Sequence, residues 1–498
     1  MSTPTAISHW IDGHLQEGAS GRVGPVYNPA TGVQTGAVAL ADESEANSAI
    51  ASAFAAAQGW RETSLSKRTA ILFAFRELLH ANVDELAALI TAEHGKVLSD
   101  AAGEILRGLE NVEYATGISH LLKGDHSEQV STGVDVHSTR QPLGVVAGIT
   151  PFNFPVMVPL WMCANAIACG NAFILKPSEK DPSPSLLIAD LWKRAGLPDG
   201  VFTVLNGDKS AVDVLLRHPD IAAISFVGST PIARSIYETG TAHGKRVQAL
   251  GGAKNHALIL PDADLDMAAD AVVSSAYGSA GERCMALSVA VAVGDMGDRI
   301  VKAVAERLPA LTIGHGDCEG TDIGPLITRE HRDRVASYIV AGEEAGATVV
   351  HDGRKADVPA NGYFLGTTLL DHVRPEMTVY TDEIFGPVLS VVRVDTYAEG
   401  LTLINSNEFA NGAVIFTQNG GAARQFEFDA NVGMVGVNVP VPVPVSYYSF
   451  GGWKASLFGD NHMYGPEGVQ FYTRGKVVTT RWPDPGTSEI NLGFPRTR

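Results

Sequence analysis

Cysteine is scarce in this chain. Only four occur in 498 residues, Cys163, Cys169, Cys284 and Cys318, without the paired spacing of a zinc site or the density of a secreted disulfide framework. A reducing compartment fits this usage, and a cytoplasmic protein is expected. Basic residues are also in deficit, 37 Lys and Arg against 55 Asp and Glu, for a formal charge of −18. A broad basic face for nucleic acid or anionic lipid is therefore excluded, because such binding needs clustered cations. Any anionic ligand must be met by a few locally placed ones. No stretch reaches the ~20 apolar residues of a membrane span. The opening MSTPTAISHWIDGHLQEG has no basic region leading into an apolar run, so a soluble, untargeted chain is expected. His94, His256 and His462 are dispersed, no His/Asp/Glu group has ligand spacing, and no metal is expected. A G-x-G-x-x-G turn after the first β-rich run, LGVVAGIT, is missing too; the simple dinucleotide fingerprint fails.

What is present is an α/β pattern on a chain long enough for more than one core. Residues 42–116 carry apolar residues at three- and four-residue steps, a helical rhythm, with Gly95 as a stop. From 142, short β-rich runs alternate with helical segments: LGVVAGIT, NAFILKP, VFTVLNG and IAAISFVGS make four strand–helix units of a parallel sheet. A second series starts near Ala257 with ALILPDADLD. It includes a helix through the small residues from Ser275 to Gly281, then LSVAVAV, GATVVHDG, FLGTTLL, VLSVVRV and GAVIFTQ. Two α/β domains follow. The polar, alternating segment 121–141 belongs to neither, and GVQFYTRGKVVTTRW near the C-terminus reads as its β partner. Both would be exposed edges on a monomer, so strands used for oligomerisation are expected.

Two strand ends carry chemistry suited to a nucleotide. After ISFVG, Ser229, Thr230 and Pro231 offer a hydroxyl cap and an early proline, leaving free N–H groups and a helix dipole for an anion. After NAFILKP, Lys176 and Glu179 stand where ligands bind in open α/β sheets. Glu179 could accept from ribose hydroxyls and would repel a 2′-phosphate, which favours NAD over NADP; Lys180 beside it weakens that preference. Each motif alone also reads as an ordinary helix start or strand end.

PFNFP (151–155), KPSE (176–179), FVGST (226–230), the Gly-Glu-Arg-Cys turn, EIFGPV (383–388) and SFGGWKASLFGD (449–460) run in one order along the chain. Their order and spacing resemble the NAD(P)-dependent aldehyde dehydrogenase superfamily over nearly the whole length. The resemblance implies the aldehyde dehydrogenase fold: a Rossmann-like NAD-binding domain (1–120 and 142–252), an α/β catalytic domain (253–450) and β oligomerisation strands (121–141 and 465–484). It implies Cys284 as nucleophile, with Asn153 as side-chain oxyanion donor beside the backbone N–H of Cys284. Thr150, Phe152, Lys176, Glu179, Lys180, Ser229, Gly251, Glu383 and Phe385 would contact the cofactor, and a homotetramer or homodimer is implied. The chemistry agrees: a thiolate attacks the aldehyde, donors hold the oxyanion, hydride leaves for the nicotinamide, and a thioester remains.

Hydrolytic members of the family usually carry a Glu two positions ahead of a Gly-Gly pair; here QALGGAKNH puts Ala249 there. Water, with a pKa near 15.7, needs such a base, whereas a thiol with a pKa of about 8.5 supplies thiolate by itself. GAKNH, GERCM and GVNVPVPVPVSYYSF (436–450) look like the CoA-acylating methylmalonate-semialdehyde dehydrogenase branch. That resemblance implies methylmalonate or malonate semialdehyde as substrate, loss of the carboxylate, and transfer to coenzyme A as propionyl-CoA or acetyl-CoA. It also implies that Arg107 and Arg283 bind the substrate carboxylate, a task suited to the two-pronged guanidinium. From its own position Arg107 lies off the Ile105/Leu109/Val112 stripe and reads as a solvated helix face, while Arg283 could instead lower the pKa of Cys284.

Glu282 adjoins the catalytic turn, but neighbouring residues point apart, and a surface role is expected for it. Cys163 and Cys169 read as packing, and acidic neighbours discourage Cys318 as a nucleophile. The rival functions are a hydrolytic aldehyde dehydrogenase recruiting another carboxylate, a binding protein that kept the fold and lost the chemistry, and a thiol hydrolase, for which no convincing His base is present.

Overall fold

The computed structural model describes residues 3–482. Four helices, Glu43–Glu62, Leu65–Ala81, Val83–His94 and α1 (Leu98–Thr116), fill the predicted helical stretch. Gly95 ends the third of them in the left-handed region at φ 93°, where a residue without Cβ is unstrained.

The first large sheet has a parallel centre of β1 (Val145–Ile149), β2 (Ala172–Lys176), β3 (Phe202–Val204), β4 (Ile221–Val227) and β5 (Arg246–Leu250), in the spatial order β5-β4-β1-β2-β3. Leu457–Phe458 joins antiparallel beside β5; His9–Ile11 and His14–Gln16 extend the other edge, for eight strands. Helices cover both faces, so the central strands are apolar throughout; every residue of β1 and β2 is buried. The order reverses between β1 and β4. Their carboxyl ends therefore diverge into the crevice where such sheets bind ligands.

The second large sheet has seven strands: the antiparallel edge Thr348–His351, then β8 (Thr368–Asp371), β9 (Val388–Val394), β7 (Leu287–Val293), β6 (Asn255–Ile259), β10 (Gly412–Phe416) and β11 (Met434–Val437), all parallel after the edge. A separate antiparallel sheet pairs His126–Ser131 with Val134–Pro142, and Val134–Pro142 with Thr473–Arg481, from Thr473↔Pro142 to Arg481↔Val134. It leaves Val477 70% exposed. The β-like reading of 465–471 is corrected: Gly465–Phe471 is a helix, with proline in its first turn and Val469 and Phe471 buried. A proline there loses no hydrogen bond and presets the helical φ. The end of the predicted strand segment, 483–484, lies outside the described residues. Cys163 and Cys169 are buried in the apolar core beside the first sheet, and Cys318 is exposed.

Candidate active site

The helix leading to Cys284, Leu265–Tyr277, stops earlier than its small residues suggested. Ser279, Ala280 and Gly281 follow at φ 51°, 53° and 76°. Consecutive left-handed residues reverse the chain direction, and only small side chains tolerate this cheaply. At Gly281 a Cβ would stand 2.3 Å from the Gly386 carbonyl oxygen; the turn has no room for one. Cys284 emerges from it half-buried. Its own carbonyl accepts from Asn255 Nδ2 at 2.9 Å and Asn411 Nδ2 at 3.3 Å, while Asn255 Nδ2 also donates to Ala286 O at 3.0 Å. Two amides rooted at β6 and β10 thus fix the Cys284 backbone to the second sheet.

Asn153 belongs to the first sheet, in the loop after β1. Its Nδ2 donates to Glu282 O at 3.1 Å, leaving a second N–H of the amide for an acceptor at Cys284. Its loop is tied from beneath. Lys96 Nζ donates to Asn153 O at 2.6 Å and to Glu104 Oε2 at 2.7 Å, and Glu104 Oε1 accepts from Val156 N and Met157 N at 3.0 and 3.2 Å. The Lys96 and Glu104 side chains are 0% and 1% exposed, so each charge depends on the other in a medium that cannot solvate it.

A groove of about 590 Å³ runs over the carboxyl ends of β1 and β4 and finishes on Cys284. It brings together Phe152, Asn153, Lys180, Ser229, Gly251, Glu383 and Phe385 from the sequence-based expectation. Thr150, Lys176 and Glu179 stand at the adjoining strand ends but outside its walls: Thr150 N donates to Lys176 O at 3.1 Å, and Lys176 Nζ lies 3.4 Å from Glu179 Oε2. The helix α2 (Thr230–Ala242) begins at the groove. The expected hydroxyl cap is not formed: Ser229 makes no side-chain cap bond, and Thr230 Oγ1 instead accepts from Gly252 N at 2.8 Å and donates to Ala455 O at 3.2 Å. The N–H groups of the first turn stay open, which suits an anion better than a capped end would. A nucleotide fits this set of donors.

Sequence reasoning missed His331 and Arg334, on α3 (Arg329–Glu344), and Glu408, all of which line the groove. His331 Nε2 donates to Phe385 O at 2.7 Å, supporting a residue held at φ 58°. A lone His and Arg on a very polar helix carry no signal that separates them from a solvated face.

Glu282 corrects the expectation of a surface role: it is 0% exposed. Its Oε1 accepts from Ile327 N at 3.2 Å and lies 3.5 Å from His331 Nε2, and its Oε2 lies 3.9 Å from His94 Nε2. Burial pushes its carboxyl up to about 8. Glu282 is not itself among the groove walls, but its carboxyl meets Ile327 and His331, which are; it is interior because α3 and the segment before it close over the turn. Burial likewise pushes the Cys284 thiol up to about 12, with Glu383 adding to the rise and Arg283 opposing it.

Ala249 on β5 is 0% exposed, in an apolar cluster with Phe226, Val247 and Phe458. No carboxylate stands at that place. Glu383 does reach the cysteine's surroundings: it lines the groove and a smaller adjoining cavity together with Cys284. Its Oε1 accepts from Ala253 N at 2.9 Å, and burial pushes its carboxyl up to about 7.

Neither proposed carboxylate-binding arginine lines the groove. Arg283 Nη2 donates to Asp100 Oδ1 at 2.5 Å, and its guanidinium lies against Gly278, beside a cavity of about 390 Å³ shared with Tyr277 and Arg307. Arg107 is tied rather than freely solvated: Nη1 donates to Glu110 Oε2 at 2.7 Å and Nη2 to Pro444 O at 3.0 Å and Val443 O at 3.4 Å. Asp100 and Arg107 are two turns apart on α1, about 10 Å at ~1.5 Å per residue. One helix therefore meets both arginines.

Two largely parallel sheets that share a groove ending on a half-buried cysteine, with an amide donor beside it and an uncapped helix start at its floor, define an α/β protein with a nucleotide-sized cleft. The sequence pattern of the Aldehyde dehydrogenase family matches residues 15–478, and the chain belongs to this family. It is 55% identical over 493 residues to a malonate-semialdehyde dehydrogenase of Pseudomonas aeruginosa, covering 98% of this chain and 99% of that one. Among solved structures it resembles methylmalonate-semialdehyde dehydrogenase from Oceanimonas doudoroffii, with 56% identity, TM-score 0.96 and coverage of 97% and 100%. A Sinorhizobium meliloti 1021 chain solved in complex with NAD matches at 51% identity and TM-score 0.97, over 98% and 100% of the two chains.

Proposed function

We propose that this chain is an NAD-dependent, CoA-acylating malonate- or methylmalonate-semialdehyde dehydrogenase. The observation that carries this reading is Ala249: the site where hydrolytic relatives are expected to keep a water-activating Glu is filled by a methyl group inside an apolar cluster. Relatives bearing the malonate- or methylmalonate-semialdehyde dehydrogenase name align along nearly the full chain, which supports the substrate class.

Cys284 acts as nucleophile, and Asn153 Nδ2 with the Cys284 backbone N–H receives the oxyanion of the thiohemiacetal. The open first turn of α2 would hold NAD through its free N–H groups, Glu179 would accept from its ribose hydroxyls, and the nicotinamide would supply a hydride acceptor there. In the thioester left on Cys284 the Cα–carboxylate bond breaks with loss of CO2, the electron pair passes into the adjacent thioester carbonyl as an enolate, and the enolate takes up a proton at Cα. The incoming thiol of coenzyme A then takes the acyl group, and Arg107 and Arg283 hold the semialdehyde carboxylate beforehand. The exposed three-stranded sheet pairs with a second copy in a homodimer or homotetramer. Among the described residues no helix is long and apolar enough to cross a membrane, and a cytoplasmic enzyme fits the cysteine usage.

Glu383 favours a second reading. It shares two cavities with Cys284, and a carboxyl near 7 suits a general base for water. The two readings separate in one assay: NADH formation from malonate semialdehyde with and without coenzyme A. CoA-dependent turnover that yields acetyl-CoA is expected. Free acid as the main product at full rate without CoA sinks the proposal and points to Glu383. Cys284→Ser is expected to abolish both products.

A further inference from the structure

Away from the groove, Cys284 packs against the apolar cluster that holds Trp161, Phe450 and Tyr464. The Tyr464 ring centroid lies 5.1 Å from that of Trp161 and 6.2 Å from that of Phe450. Its backbone is strained, at φ 44° and ψ −164°, a combination occupied almost only by glycine and kept elsewhere only where the surroundings enforce it. The side chain is buried, and its hydroxyl donates to Pro444 O at 3.0 Å. The same carbonyl accepts from Arg107 Nη2 at 3.0 Å. Both lone pairs of Pro444 O are thereby used.

Pro444 sits in the run VPVPVPV, 439–445, which forms no helix or strand. Its prolines have no N–H to give a ladder, and Val443 N to Val441 O is its one internal backbone bond. The run is therefore placed by donors from outside, Arg107 and Tyr464. Glu110 holds the other arm of the guanidinium, and Arg107 Nε–H has no acceptor among the described residues. Burial raises the Tyr464 phenol, Arg107 lowers it, and Cys284 and Glu110 raise it further. The hydroxyl thus stands within electrostatic reach of both the arginine and the nucleophile.

We propose that Tyr464 is a positioning residue for substrate charge: its hydroxyl fixes the Pro444 carbonyl, and that carbonyl holds the Arg107 guanidinium in the orientation that receives the semialdehyde carboxylate. The inference rests on the reading of Arg107 as a carboxylate binder. Its strain is explained by the same demand, since a relaxed backbone at 464 would carry the hydroxyl off Pro444.

The test uses the full-length enzyme with NAD and coenzyme A, and compares malonate semialdehyde with propanal, which lacks the carboxylate. Tyr464→Phe is expected to raise KM for malonate semialdehyde about fivefold, the worth of one ordinary hydrogen bond, with KM and kcat for propanal within about twofold. Arg107→Ala is expected to raise KM for the charged substrate more. Adding Tyr464→Phe to Arg107→Ala should then change little, since the hydroxyl acts through the arginine. A Tyr464→Phe variant that matches wild type on both aldehydes overturns the proposal, and so does one that loses equally on both, or fails to fold while Tyr464→Trp retains full charge selectivity. If Arg107→Ala does not discriminate between the aldehydes, the arginine reading falls first and this inference with it. If Arg107→Ala discriminates and Tyr464→Phe does not, only the positioning role falls.

Discussion

The two sides of Cys284 are built differently. On the cofactor side an open groove is formed by strand ends, a glycine pair and the uncapped start of α2, so backbone groups placed by the sheets join the side chains of Lys180, His331 and Arg334 as its donors. On the other side, Arg283 and Arg107 are charged groups already satisfied by Asp100 and Glu110 of one helix. Backbone donors are ready before any ligand arrives, whereas cations balanced in advance must exchange or share a partner to bind. In a chain of net charge −18, such pairing keeps isolated positive charge out of the interior and makes selectivity depend on how firmly each arginine is held.

Asn153 is where the first side meets the chemistry, and its loss should break the comparison most. Asn153→Ala is expected to lower kcat about 10²–10³-fold, as for removal of one oxyanion donor, with little change in NAD affinity by fluorescence titration. An unchanged kcat would mean that the groove alone sets the rate. Next in size is the buried tie beneath that loop: Glu104→Gln strands the Lys96 charge and should cost about 3–5 kcal/mol of stability, read as a shift in the denaturation midpoint.

Glu282, behind the catalytic turn, sharpens the comparison through pH. Its carboxyl keeps its proton up to about 8 in the folded chain against 4.5 as the ordinary value. The native state then binds more protons between those values, and stability falls as pH rises through that window. Glu282→Gln, which cannot ionise, should make urea-unfolding free energy decline less steeply from pH 5 to 8; an identical slope would show that the buried carboxyl is ionised throughout. The smallest effect is expected on the substrate side, where Asp100→Asn frees Arg283 from its anion. About a two- to fivefold fall in KM for malonate semialdehyde, on the order of the ~1 kcal/mol of a partly exposed pair, would confirm that the acid competes with substrate. A rise would show that Asp100 serves to orient it.

Part of the groove was legible because its residues follow strands within a few positions, Ser229 after β4 and Lys180 after β2; Phe152 and Asn153, after β1, were implied only by the family resemblance. Strand ends point at the crevice by topology, so local order is enough to find them. The interior placement of Glu282 was not legible, since it depends on α3 and Ile327, more than forty positions downstream, folding over the turn. The same holds for the ties on Arg107, which come from residues 443 and 444. Helical periodicity says which face leaves the local core and is silent about what distant chain later covers that face. Nor was the use of the Thr230 hydroxyl legible, since it accepts from Gly252 N at the next strand end instead of capping α2.

The carbonyl of Cys284 is gripped by amides from the second sheet, while Asn153, proposed as its oxyanion donor, hangs from the first. The reactive geometry is consequently a property of the seam between two halves and belongs to neither half. A small molecule wedged at that seam would silence the enzyme without ever touching sulfur, and each half expressed by itself would be inert until its counterpart were supplied.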